Sequence, residues 1–307
     1  MKTYCILILA FCSAFYAEAQ QMNSASGLME PIGFDYGLVP DMGENQLEKY
    51  NLYLMFGKPL KKGRLGFRAD YSYANFQFEN TNREVDVTSY EKTHNLRLNV
   101  FYLRELSKSW ALNITVTPSI VSNFDRPISE DDLLFTGFLS VAKTWGDTEK
   151  FSRFTFGLGY SAAFGKPQIL PMLSFFKKIN ANWSYSIGLP MTGVFHKLNE
   201  RNYISFLVRP DGLFANNPNE VYFAKQNEVI TNTKLQFISI KTGFEYKYRI
   251  QPDFNLVFSA GFIPFNELKI VDHNAEELFD FNVNSTYYIS TGVRFNLNRK
   301  ENEKKSN

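Results

Sequence analysis

The last extended segment of the chain, Tyr287–Leu297 (YYISTGVRFNL), limits the fold most tightly. Side chains alternate across a strand with a period of two. Here that period puts Tyr287, Ile289, Thr291, Val293, Phe295 and Leu297 on one face. Tyr288, Ser290, Gly292, Arg294 and Asn296 fall on the other. An apolar row opposite a polar row carrying a charge fits a strand with lipid on one side and water on the other.

The alternation recurs along the chain. Leu65, Phe67, Ala69, Tyr71 and Tyr73 alternate with Gly66, Arg68, Asp70 and Ser72. Ile238, Ile240, Phe244, Tyr246 and Tyr248 oppose Ser239, Lys241, Gly243, Glu245 and Lys247. Weaker strands fall near 31–38, 169–177, 191–198 and 202–209. Short connections near 58–63, 104–109, 145–150, 178–182, 199–201 and 249–253 alternate with longer polar ones near 40–48, 77–92, 121–132, 210–233 and 264–283. Tight connections near 165–168 and 189–191 interrupt that scheme. Short turns at one end and long loops at the other are the asymmetry of a bacterial membrane barrel. With both termini at one end the strand count is even. The segments predict about 14 strands, or 12 if 31–38 and 191–198 are not strands.

The N-terminus predicts export. Lys2 precedes the apolar run Tyr4–Phe15, and Ala17-Glu18-Ala19 forms an A-x-A site. The expected organisation is a signal peptide at 1–19, a barrel over 20–298 and a charged tail at 299–307. Both cysteines, Cys5 and Cys12, lie within that leader. A mature chain without them excludes disulfides, thiolate metal sites and cysteine nucleophiles. A net charge of +2 argues against a dedicated nucleic-acid binder. Mean hydropathy is −0.26, too low for a helical membrane protein but ordinary for a barrel with only alternate residues in lipid.

A soluble β-sandwich would also alternate. Against it stand the 16% aromatic content, with Tyr and Trp near strand ends, and the charged residues in mid-strand. A dry core would not accept those charges, whereas a hydrated lumen would. Ser290, Gly292, Phe295 and Leu297 resemble the C-terminal β-signal of outer-membrane proteins, which the barrel-assembly machinery reads. The chain as a whole is similar to uncharacterised outer-membrane β-barrels of Gram-negative bacteria. That resemblance implies outer-membrane localisation, lipid and the assembly machinery as partners, and no catalytic residue. Oligomeric state is left open.

The best candidates for function are the inward charges Arg68, Asp70, Arg97, Arg153, Lys241, Glu245, Lys247 and Arg294. They would either line a pore and bias what enters or form a salt-bridged network that stiffens a closed barrel. Arg68 and Asp70 are spaced to pair with each other or with Arg97. His94 is expected as an interfacial ring. His196 has no predicted partner, and His273 falls in a loop. Ser205 and Ser259 are imaginable partners for a lipid-modifying reaction, but nothing specifies them. The acidic loop Asp125–Asp132 lacks calcium-loop spacing and reads as solvated. Asp211–Glu220 reads as a turn-rich loop or plug. No metal or cofactor site is expected. The function expected is passage or binding of a small solute, with the aromatic content pointing to an apolar one. The alternatives are a closed structural barrel and, further off, a lipid-modifying enzyme.

Overall fold

The computed structural model describes residues 30–78 and 84–296. The expected signal peptide, the charged tail and Leu297 lie outside them. Seventeen strands form among the described residues: β1 (Ile32–Val39), β2 (Asn45–Leu60), β3 (Gly63–Phe78), β4 (Lys92–Glu105), β5 (Trp110–Ser122), β6 (Leu133–Gly146), β7 (Phe151–Ser161), β8 (Gln168–Lys178), β9 (Trp183–Leu189), β10 (Thr192–Lys197), β11 (Asn202–Asn217), β12 (Val221–Phe223), β13 (Glu228–Ile230), β14 (Thr233–Gln251), β15 (Phe254–Val271), β16 (Glu277–Asp280) and β17 (Thr286–Phe295). Strands β1 to β11, β14, β15 and β17 pair antiparallel in a ring, which β1 closes against β17. That makes a closed barrel of fourteen strands, the larger of the two counts expected, because 31–38 and 191–198 both form strands. Closure leaves no unpaired strand edge in the hydrocarbon, where each orphaned backbone group would be costly.

The outer wall is apolar around its whole circumference. Leu54, Phe56, Leu98, Phe135, Leu158, Ile187, Phe244 and Ile289 are all exposed on it. A water-soluble chain seldom exposes a patch beyond a few hundred Å², so this belt is a lipid-facing surface. Tyr36, Tyr50, Tyr73 and His94 are consecutive register partners across β1 to β4, and their rings form a row at 5.0–6.0 Å spacing. Such a ladder suits a bilayer interface, where one ring edge is apolar and the other wet. The strands run on past it, away from the termini.

That extension departs from the sequence reading. Residues 210–217, expected in a loop, continue β11, and much of 264–283 forms the end of β15 and β16. Pro210-Asp211-Gly212 carries turn chemistry, yet it lies in a strand. β10 pairs with β11 only as far as Thr192↔Val208, so Pro210 begins a stretch where that edge is free and a missing N–H costs no bond to β10. In β15 a register shift beside Ile263 and Pro264 reverses the alternation. Odd residues face inward up to Ile263, and even ones, Leu268 and Ile270, do so beyond it. The broken period hides the strand.

Beyond the end of β10, β11 leans across to β5, where Asn216 meets Ser122. Strands β6 to β10 are bypassed. The upper ring is therefore β1 to β5, β11, β14 and β15, with β16 beside β15 above Ile263, where the pairing of β17 ends. Roughly eight strands enclose an interior that side chains just fill, and this nine-stranded collar is filled. Met42, Leu47, Phe76, Leu235, Phe237, Ile263, Leu268 and Ile270 meet inside it. Val85, Tyr90, Val221 and Phe223, from the capping loop and the β12–β13 hairpin, seal the top. The β7–β8 turn packs on the back of the collar, where the backbone of Gly165 crowds Ile238. Ile238, expected in the lipid-facing row, is buried there instead.

The acidic loop is exposed over 125–131, as expected, but its last carboxylate is not. A buried Asp132 accepts hydrogen bonds from the Ser129 amide (2.7 Å) and Asn216 Nδ2 (2.8 Å), while Lys234 Nζ donates to Asn216 Oδ1 (2.8 Å). These bonds tie the β5–β6 loop to the seam between β5 and β11.

Candidate functional site

Below the collar the ring widens to fourteen strands, too many for side chains alone to fill. A cavity of about 400 Å³ remains, reaching up to Leu213 of the plug. Its charged lining is Asp35, Lys49, Arg97, Arg209, Asp211, Lys241, Glu245 and Arg294. Each sits on the inward phase of its strand, opposite an apolar outward row.

Asp211 is the centre of this lining. Its carboxylate takes Lys241 Nζ from the neighbouring strand at 2.6 Å. It also takes Lys49 Nζ at 2.8 Å. Lys49 comes from β2, five strands away around the ring, so the contact crosses the lumen. Lys49 Nζ also lies 5.2 Å from the ring centre of Phe237, joining the charged layer to the plug. Arg294 donates to Asp35 at 2.6 Å across the β1–β17 closure and stands 3.8 Å from Glu30. Gly292, directly opposite Asp35 and two residues before Arg294 on β17, has no room for a side chain: an added Cβ would lie 2.3 Å from Asp35 Oδ1.

Of the predicted set, Arg97, Lys241, Glu245 and Arg294 line the cavity. Arg68 and Asp70 face inward nearer the termini and pair at 2.7 Å, with Arg97 4.0 Å from the same carboxylate. The Arg68 guanidinium stacks on Tyr53 at 3.9 Å. Lys247 pairs with Glu30 at 2.6 Å. Arg153 stands apart on β7, where its Nε donates to Thr144 Oγ1 at 3.1 Å. In β17, Ser290 and Gly292 face inward and Phe295 outward, as the alternation requires.

The sequence reading missed Asp35, Lys49, Arg209 and Asp211. Lys49 carried a usable signal, since it extends the inward row of Asn51 and Tyr53 by one step. Arg209 and Asp211 were masked by the turn-like Pro210-Asp211-Gly212. His94 stacks on Phe124 and hydrogen-bonds Tyr71 at 2.8 Å on the outer wall. His196 has a partner after all, stacking on Trp183 at 3.9 Å, also outside. Ser205 and Ser259 face the lumen, so neither meets these histidines.

Among solved structures, the NanC porin is 10% identical over 87% of this chain and all of its own (100%), with a TM-score of 0.38. LpxR from Salmonella typhimurium is 7% identical over 86% of this chain and 99% of its own, at 0.39. The Pseudomonas putida toluene transporter TodX is 8% identical over 89% and 91%, at 0.38. At such scores the likeness bears on neither solute nor chemistry. A search of curated proteins returned no match. The profile of DUF6268, a domain of unknown function, matches residues 58–296, and the chain belongs to that family.

Proposed function

We propose that the protein is a bacterial outer-membrane barrel that holds a small solute in a lumenal chamber instead of conducting it freely. The apolar plug carries this reading. Phe76, Phe223, Phe237, Leu235 and Ile270 are essentially without solvent contact, so among the described residues the collar is filled by packed apolar side chains. The chamber beneath it is polar and charged, which favours a hydrophilic solute over the apolar one expected from composition. Solute enters from the end that carries the termini, past Arg68, Lys247 and Glu30. Ser290, Gly292, Phe295 and Leu297 serve as the segment read by the assembly machinery. No enzymatic role is assigned.

Planar-bilayer recording tests the reading. Purified protein should give no steady conductance. Replacing residues 218–232 by a short Gly/Ser turn, which removes the β12–β13 hairpin and its Val221 and Phe223, should produce one. A stable ohmic conductance from the unmodified protein would sink the proposal.

A further inference from the structure

The chamber gathers more positive charge than it neutralises. Arg209 and Lys241 are direct register partners on β11 and β14, both facing inward. Like charges placed opposite each other in a sheet repel. Lys49 joins them from across the lumen, and Arg97 lines the same cavity from β4. Of the acids among the described residues, Asp211 alone pairs with any of these four at under 3 Å. Asp70, the carboxylate nearest Arg97, is 4.0 Å away and already held by Arg68 at 2.7 Å. Asp35 is taken by Arg294. Glu245 lies four residues along β14 from Lys241 and forms an ion pair with none of the four.

Donors are left over as well. Arg97 Nε is buried and has no acceptor among the described residues, and its Nη2 reaches only Ser72 Oγ at 3.4 Å. Arg209 makes no ion pair or hydrogen bond among the described residues, although it lines the cavity. An enclosed cation without a partner is costly, and each guanidinium with a free donor is a planar fork suited to an oxyanion. Asn51, Ser72 and Asn95 on the same wall offer neutral polar groups.

We infer that the chamber is an anion-binding site for a small solute bearing a carboxylate or phosphate. Arg209 and Arg97 grip the oxyanion, while Lys49 and Lys241 supply the field and Asp211 keeps them apart. A carboxylate offers two coplanar oxygens and a phosphate a tetrahedral set, either of which accepts the paired donors of a guanidinium, and the cavity admits a compact organic acid. The inference rests on the chamber reading above and adds the solute's chemistry.

Titration calorimetry of the refolded barrel in detergent, with inorganic phosphate and separately with citrate, tests it. Saturable binding of at least one anion is expected, weakening as sodium chloride rises. Arg209→Gln and Arg97→Gln should each lower the affinity about tenfold or more, the scale of one lost charged contact. Arg209→Lys, which keeps the charge but loses the fork, should fall between. The heat-dependent gel shift reports folding of each variant, and if one misfolds the other carries the test. The tighter of the two anions identifies the class. No binding of either anion, or affinity unchanged in both Gln variants, would overturn the site. Bilayer recording of the same preparation separates the two failures. A silent barrel that binds no anion loses only the anion site, whereas an open one loses the chamber itself.

Discussion

Gly292 and Asp211 each hold a charge arrangement in the lumen, one by leaving room and one by its carboxylate. Gly292 leaves space for Arg294 to fold back onto Asp35, and a methyl group would sit 2.3 Å from the acceptor oxygen. Gly292→Ala should therefore destabilise the barrel by about 1–3 kcal/mol, the range for overpacking. Urea unfolding followed by tryptophan fluorescence would show an earlier midpoint. Asp211→Asn removes the carboxylate from between Lys49 and Lys241. Losing one partner of an enclosed pair costs about 3 kcal/mol or more, so the same assay should show a larger loss. Equal stability of wild type and Asp211→Asn would mean that lumenal water already screens these charges. The inward phase of Arg68, Arg97, Lys241 and Arg294 follows from alternation, so their shared face was legible in the sequence. Their partners were not, because the cross-lumen contact of Lys49 with Asp211 depends on ring geometry and not on spacing.

The elements at the loop end divide into a sealed plug and a polar seam. Phe237 lies at the centre of the plug with 0% exposure. Phe237→Ala should cost about 3–5 kcal/mol, lowering the temperature at which the folded gel band converts to the unfolded one. An unchanged conversion temperature would show that the plug adds nothing to stability. In the seam, burial opposes the charge on Asp132. Hydrogen bonds from the Ser129 backbone and the Asn216 side chain outweigh that effect and hold its carboxyl below its ordinary value. A depressed carboxyl stabilises the folded state above its unfolded pKa, near 4, and the benefit is lost as pH falls through the folded value. Hydrogen exchange at residues 129–133, corrected for intrinsic rate, should stay slow from neutral pH down to about 5 and quicken below about 4. Asp132→Asn should flatten that profile, and a wild-type profile flat through acid would refute the assignment. Sequence patterning located the membrane parts of these strands within a few residues. It failed where the period broke, at Pro210 in β11 and at the register shift beside Ile263 and Pro264 in β15.

At the scale of the whole molecule, two circumferences share one wall. The fourteen-stranded section is too wide to fill and encloses a cavity, and the nine-stranded collar above it is narrow enough to close with side chains. An unboiled sample should migrate differently from a boiled one, since closing the ring makes unfolding cooperative. Identical mobility would contradict the closed barrel. The sequence by itself determined the class: the two-residue period, short and long connections in turn, and mid-strand charges leave few folds besides a membrane barrel. It also settled which face of each regular strand meets lipid, because a one-residue slip would expose every charge to hydrocarbon. Only the tertiary structure decided that the barrel is plugged and that Asp211 bridges the lumen. Both depend on β11 leaving β10 to meet β5, a contact between strands about ninety residues apart that no local pattern encodes.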